Sequence, residues 1–320
     1  MERYAHVARW FYGTVWAIYP PKLLAMRDAL EFLAGGGEYS AAEIAAIIGA
    51  RPREQDRPKG ATAVLPLRGV ISHRAGMLGE ASGGTSTEAF AAQLREFVAD
   101  PKIGSILLDV DSPGGSVNGV EELAAEIHSA RKLKPIVASI NAMAASAAYW
   151  IASAATEISI TPSGEVGSIG VIAAHEDVSA QRERWGVRTT LISAGKYKGE
   201  GSPYEPLTEE ARAYMQGQVD DYYGMFTRSV ARGRGVPVAT VREGFGEGRM
   251  VMAKDALRMG MADRVETMDE TLARLSASGD GPVANPRANL EELDIQANRE
   301  EPEGRSTDLE RMRLELLRLR

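Results

Sequence analysis

The sequence predicts an α/β protein with a largely parallel sheet. After residue 61, short apolar runs alternate with helical segments that have one apolar face. The run from Ile103 to Val110 is almost continuously apolar, which is typical of a strand covered on both faces. Because strands that alternate with helices are usually joined by crossovers, this order favours parallel pairing.

The elements of this region follow in order along the chain. Pro66 lies in the first predicted strand, which indicates an edge position or a bulge. The predicted strands cover residues 62–71, 103–110, 135–140, 157–161, 171–174 and 189–193. The predicted helices begin at Ser86 or Thr87, near Val120 and near Ser146, and then cover 207–232, 253–259 and 268–275.

Composition shifts divide the chain into four predicted parts. Residues 1–50 form a helical unit with helices at 22–33 and 41–48, and residues 51–60 form a polar linker. Residues 61–276 form the α/β domain, and residues 277–320 form a polar tail that we expect to be mobile. The tail ends in a short amphipathic segment with an apolar seam of Leu309, Met312, Leu316 and Leu319.

The composition excludes several classes of protein. Of the 320 residues, 44% are hydrophobic and 25% are charged, so the chain is not wholly disordered or fibrous. The absence of cysteine excludes disulfide scaffolds, thiolate metal sites and cysteine nucleophiles, and it fits an intracellular protein. The formal net charge of −7 disfavours a nucleic-acid binder, and the four widely separated histidines disfavour a metal site.

A membrane span and a secretion signal are also not predicted. No stretch approaches 18 apolar residues, so we expect no span. The aromatic run from Trp10 to Tyr19 is short and has no small-residue cleavage site nearby, so we do not expect it to be a signal peptide.

Three loops at predicted strand ends carry the candidate chemistry. The first, residues 111–116, contains Gly114 and Gly115, whose bare backbone lets N–H groups approach a ligand. Such a loop could form an oxyanion hole or an anion cradle, or it could be a Pro-Gly turn that only starts a helix. The second loop contains Ser146 among alanines. This serine could be a nucleophile with room for a substrate around its hydroxyl, or it could be a buried serine hydrogen-bonded to a carbonyl.

The third loop contains two lysines, Lys196 and Lys198. A lysine can deprotonate a serine near neutral pH only if its pKa is lowered by about three units. The alternative is that both lysines are solvated charges on a loop.

Together the three loops resemble the signal-peptide peptidase A family of serine proteases. The matching stretches are DSPGGSVNG, NAMAASAAYWIASAATEI, SGEVGSIGV, SAGKYKGEGSPYEPLTEEAR and EGRMVMAKDALRMGMADRVETMDETL. By the order and spacing of these stretches, the resemblance covers about residues 62 to 275. The resemblance implies a Clp protease/crotonase-like fold, which is a superhelix of repeated β-β-α units.

The resemblance also implies a role for each matching residue. Ser146 would be the nucleophile and Lys198 the general base of a Ser-Lys dyad, with Lys198 preferred to Lys196 because of its distance from Pro203. Ser168 would orient the lysine amine. Backbone N–H groups of Gly114 or Gly115 and of Ala147 would form the oxyanion hole, and no metal or organic cofactor is implied.

Within this family, YGTVWAIYPPKL and LPLRGVISHRAG most resemble bacteriophage head-maturation proteases. The resemblance implies an endopeptidase that acts on protein substrates, namely phage scaffold, capsid or portal proteins. It also implies a homo-oligomer in the host or bacterial cytoplasm, within the prohead if phage-encoded. Three alternatives remain: a soluble bacterial peptidase for signal-peptide fragments, a scaffold protein on an inactive protease fold, and a crotonase-like acyl-CoA enzyme.

Overall fold

The computed structural model describes residues 11–34, 37, 62–74 and 84–277. The predicted helix at 41–48, the linker and the tail from residue 278 lie outside the described residues. Within those ranges, no helix is both long and apolar enough to cross a membrane.

A seven-stranded sheet forms the centre of the fold. Its strands are β2 (Thr62–Arg68), β5 (Ser105–Ser112), β7 (Ile136–Ala145), β8 (Glu157–Ile160), β9 (Glu165–Gly167), β10 (Met250–Met252) and β11 (Arg264–Val265). Their order is β10-β9-β7-β5-β2, with β8 beside the first half of β7 and β11 beside β8. Every pair is parallel except β9 with β10, so the predicted largely parallel sheet is confirmed.

A smaller sheet has four strands, β1 (Trp16–Ile18), β3 (Ile71–Ser72), β4 (Thr85–Ser86) and β6 (Gly114–Ser116). Their order in the sheet is β1-β6-β3-β4. Strand β1 is antiparallel to β6, whereas β3 is parallel to both β4 and β6. The smaller sheet therefore joins a segment near the N-terminus to the glycine loop that follows β5.

Nine α-helices are described. They are α1 (Pro20–Ala34), α2 (Thr87–Ala99), α3 (Val120–Ala130), α4 (Ala147–Ala152), α5 (Ser179–Arg184), α6 (Glu209–Arg234), α7 (Val238–Gly244), α8 (Ala253–Met259) and α9 (Met268–Ala277). The side chain of Ser86 caps α2, as predicted, by accepting a hydrogen bond from the Ala89 amide.

The order of elements gives the expected β-β-α repeat. Strands β2 and β5 lie in the large sheet, β3 and β6 follow them in the small sheet, and helices α2 and α3 close the two units. Strand β5 is covered on both faces, as predicted, since neither Leu107 nor Leu108 has exposed area. Strand β2 lies at a sheet edge, which agrees with the proline at position 66.

Two predicted strands are wrong. In residues 171–174 only Ile172 forms a bridge, with Trp16, and residues 189–193 have no strand partner. Both stretches contain β-branched residues that favour extended backbone, but a strand also needs a neighbouring edge to satisfy its N–H and C=O groups. Residues 189–193 lie outside both sheets, and 97% of the side chain of Ile192 is exposed.

A buried ion pair ties the end of α6 to the large sheet. The two terminal nitrogens of the Arg234 guanidinium, Nη1 and Nη2, donate to the two carboxylate oxygens of Asp263 over 2.8 and 2.6 Å. Both side chains are less than 10% exposed. Asp263 also accepts a hydrogen bond from the Ile158 amide in β8. The pair therefore holds three parts of the chain that are distant in sequence.

Candidate active site

The glycine loop after β5 brings bare backbone against neighbouring strands. Gly114 has φ of +93°, and a Cβ on Gly115 would overlap the carbonyl oxygen of Ile71 in β3. Glycine is therefore required at both positions, one for its backbone angle and the other for the close approach. The predicted helix does not begin directly at this loop, because β6 and a turn come before α3.

Ser112 stabilises this loop, a role that the sequence analysis did not assign. Its Oγ donates to the Gly69 carbonyl over 2.6 Å and accepts from the Gly114 amide over 3.2 Å. The Gly114 amide, one of the two alternative oxyanion donors, therefore already has an internal partner. The position of Ser112 in the DSPGGS stretch is the sequence signal for this residue.

Ser146 lies between the end of β7 and the beginning of α4. Its backbone has φ of 54° and ψ of −117°, a conformation that costs a non-glycine residue about 1–3 kcal/mol. The Ser146 amide donates to the Gly167 carbonyl over 2.7 Å, and Oγ donates to the Gly170 carbonyl over 3.3 Å. Ser146 has no exposed area. The surrounding chain thus fixes a strained serine next to the N-terminus of α4.

Large side chains hold α4 in place behind Ser146. The Trp150 ring stacks on Phe226 of α6 with centroids 4.5 Å apart, and its Nε1 donates to Glu121 of α3. The Tyr149 hydroxyl donates to the Met261 carbonyl, and burial raises the pKa of this tyrosine. The helix that carries the candidate nucleophile is therefore anchored on three sides.

The structure brings together most of the predicted site. Ala145 and Gly167 are register partners of the parallel strands β7 and β9, so Ser146 and Ser168 both follow that pair. Ser168 is 5% exposed and has φ of 51°. A Cβ built on Gly114 would lie 3.1 Å from the Ala147 amide nitrogen, which places the glycine loop beside the start of α4.

Lys198 lies on an exposed loop segment outside both sheets. It is exposed, its amide donates to the Gly195 carbonyl over 3.1 Å, and no hydrogen bond in the described part of the chain joins its Nζ to Ser146. The dyad of Ser146 and Lys198 therefore stays a prediction.

Lys196 has surroundings that oppose a role as a base. Its Nζ donates to the Tyr197 hydroxyl over 2.6 Å and to Glu210 over 3.3 Å. The hydrogen bonds to Tyr197 and Glu210 raise the pKa of Lys196, which keeps the amine protonated. This favours Lys198 over Lys196, in line with the preference from the sequence.

No group of three or more His, Asp or Glu side chains that could hold a metal ion occurs among the described residues.

Comparison with known proteins finds a family model that matches much of this site. Residues 128–280, which contain Ser146, Ser168 and Lys198, match the model of peptidase family S49. This region is similar to peptidase family S49. The S49 match does not extend to the glycine loop at 111–116, which the structure places beside it.

Three relatives are each similar to more than half of this chain. The chain is 36% identical over 203 residues to capsid assembly protease C of Escherichia phage lambda, covering 63% of this chain and 46% of that protein. It is 32% identical over 258 residues to head-tail preconnector protein GP5 of Enterobacteria phage P21, covering 81% and 50%. It is 31% identical over 187 residues to a putative signal peptide peptidase SppA of Enterococcus faecium, covering 58% and 54%. The chain thus spans about half the length of these three relatives, and the predicted resemblance is confirmed.

Proposed function

We propose that this chain is a serine endopeptidase with Ser146 as its nucleophile. The observation that carries the proposal is the position of Ser146, which lies in strained backbone beside the amide of Ala147 and the glycine loop. Backbone N–H groups in this position stabilise the negative charge that develops on a peptide carbonyl under attack. The S49 match of the same segment supports this chemistry.

In the proposed reaction, Lys198 Nζ accepts the hydroxyl proton while Ser146 Oγ attacks the carbonyl carbon. The peptide C–N bond then breaks, and the leaving amine takes a proton from the lysine. Water hydrolyses the acyl-enzyme and restores the serine. Amides of Ala147 and of Gly114 or Gly115 would hold the oxyanion, and the Ser168 hydroxyl would orient the lysine amine.

The substrates that we propose are the head proteins of a phage, namely scaffold, capsid or portal proteins. Two phage relatives support this class, since one is named a capsid assembly protease and the other a head-tail preconnector protein. We propose that cleavage takes place in the host cytoplasm or within the prohead. Incubation with purified head proteins and mapping of the cut sites tests the substrate class.

We also propose that the chain forms a homo-oligomer. The segment from residue 185 to residue 198, here called the arm, exposes five large apolar side chains and contains Lys198. The five are Trp185, Val187, Leu191, Ile192 and Tyr197. A second copy that covers the arm would remove this apolar surface from water.

The base is tested by replacing each lysine separately. We expect Lys198→Ala to abolish peptide hydrolysis and Lys196→Ala to retain most of it, because the pKa of Lys196 is raised by its neighbours. Turnover of a fluorogenic peptide measures both. Retention of activity in Lys198→Ala with loss in Lys196→Ala would reverse the assignment.

Mixing two inactive variants shows which copy supplies the lysine. If the arm of one copy reaches the serine of another, Ser146→Ala mixed with Lys198→Ala regains part of the activity. If each arm closes on its own Ser146, the mixture stays inactive.

No histidine takes part in the proposed reaction. Replacing any of the four histidines should therefore leave kcat close to that of the parent, whereas losing a general base lowers kcat by about 10²–10⁴-fold. Steady-state kinetics of the four variants, each with a folding check by circular dichroism, makes the comparison. A loss of that size in one folded variant would replace the Ser-Lys dyad with a Ser-His pair.

A further inference from the structure

Strand β1 occupies the edge of the candidate site. It pairs antiparallel with β6, the strand of the glycine loop, and the register sets Ala17 opposite Gly115 and Ile18 opposite Gly114. The pairing continues on both sides of the strand, where the Val117 amide donates to the Val15 carbonyl and the Tyr19 amide donates to the Pro113 carbonyl. The β6 edge that carries the Gly115 amide, one of the two alternative glycine donors, is therefore already occupied.

The second edge of β1 is bonded as well. Trp16 and Ile172 exchange two backbone hydrogen bonds of 2.9 Å each. Ile172 lies two residues after Gly170, whose carbonyl accepts a hydrogen bond from Ser146 Oγ. Strand β1 thus lies between the two chain segments that flank the serine, and it is held along both edges as an extended peptide would be.

The carbonyl of Ala17 lies beside Gly114 of the glycine loop. A Cβ on Gly114 would overlap the Ala17 carbonyl oxygen and would lie 3.1 Å from the Ala147 amide nitrogen, so both atoms border the same small space beside Gly114. Ala17 and Ser146 both have no exposed area. With β1 in place, no second peptide can lie along this edge of β6.

We propose that β1 is a built-in competitor that a substrate peptide must displace from the β6 edge. The inference rests on the proposed peptidase function and adds to it a closed and an open state of the same site. A strand of three residues makes few backbone bonds, so exchange with an incoming strand of equal length replaces each bond that is lost.

The side chains that hold β1 form a small cluster separate from the main core. Trp16 and Ile18 pack on Phe11, Leu23 and Val70, whereas Ala17 faces the main core. Helix α1, which follows β1, leaves Leu24 and Phe32 about half exposed. Displacement of β1 would therefore disturb this small cluster and leave most of the main core in place.

A reversible crosslink tests the proposal. Because the backbone bonds fall on Val15 and Tyr19, Trp16 and Ser116 form a non-hydrogen-bonded pair, whose Cα separation of about 4.5 Å suits a disulfide. The chain has no cysteine, so Trp16→Cys with Ser116→Cys allows only this one intramolecular disulfide. The pair is placed in a Ser146→Ala background, so that binding is measured without cleavage. The probe is a fluorescent peptide with the sequence of residues 12–19, YGTVWAIY.

We expect the reduced protein to bind the probe at least about tenfold more tightly than the oxidised protein, because the crosslink removes the open state. Trp16→Cys alone, which cannot form this crosslink, should bind equally under both conditions. Equal affinity of the reduced and oxidised double variant, or no binding to the reduced form, would overturn the proposal. With Ser146 restored, a reduced form that binds peptides without hydrolysing them would refute the peptidase function but not the competition.

Discussion

Replacing Ser146 with alanine is expected to lower peptide hydrolysis by at least about a thousandfold, because loss of a serine nucleophile removes the covalent route. The double variant Ser146→Ala with Lys198→Ala should be no less active than either single variant, because the two residues act as a unit. The fold should survive, since the change deletes one hydrogen bond of 3.3 Å to the Gly170 carbonyl. Turnover of a fluorogenic peptide and the melting temperature are the two measurements.

Ser153 provides a matched control for this experiment. It is also a buried serine, it lies at the other end of α4, and its Oγ donates to the Trp150 carbonyl over 2.7 Å. Ser153→Ala should therefore alter stability slightly and leave kcat unchanged. Hydrolysis by Ser146→Ala at more than a tenth of the rate of Ser153→Ala would exclude Ser146 as the nucleophile.

Replacing Asp263 with alanine is expected to reduce the free energy of unfolding by about 3–5 kcal/mol, because it leaves the buried guanidinium of Arg234 without its partner. The Ile158 amide in β8 would lose its acceptor as well. Arg234 Nε also donates to the Gly260 carbonyl, one residue before the carbonyl that accepts from Tyr149 of α4. The loss should therefore loosen the support of the helix behind Ser146. Urea unfolding measures the change.

An exposed ion pair on the neighbouring helix α8 serves as the reference. Arg258 and Asp255 are 2.8 Å apart with more than half of each side chain exposed, so Asp255→Ala should cost less than about 1 kcal/mol. Replacing Arg234 and Asp263 together by Met and Leu should recover part of the stability that Asp263→Ala loses. Equal losses for Asp263→Ala and Asp255→Ala would show that the buried pair contributes no more than the surface pair.

The long elements of this fold could be predicted from sequence because their patterns are local. The apolar run of β5 and the spacing of apolar residues in α6 repeat over enough residues to identify a strand and a helix. Strands β1 and β6 are only three residues long, and β6 has the sequence Gly-Gly-Ser, which disfavours a strand by propensity. Each of these two strands forms because its backbone pairs with a neighbouring strand. The sequence of the short segment does not reveal which strand that is.

The candidate site also has a part that could be predicted from sequence and a part that could not. Ser146, Ser168 and the glycines lie at the ends of strands, so the order of strands in a parallel sheet brings them together. Lys198 lies in the arm, outside both sheets, and no periodic pattern fixes its distance from Ser146. The occupation of the β6 edge by β1 depends on a pairing between distant segments, which residue patterns do not reveal.

The pairing of β1 also determines when this part of the molecule can assemble. Ala17 pairs with Gly115 and Trp16 with Ile172, so closing this edge brings together positions roughly 100 and 150 residues apart. Loop closure of this length slows folding, and a chain made from its N-terminus produces β1 first and both of its partners much later. Strand β1 is therefore synthesised before both of its partners, and it can take its place beside β6 only after they have been made.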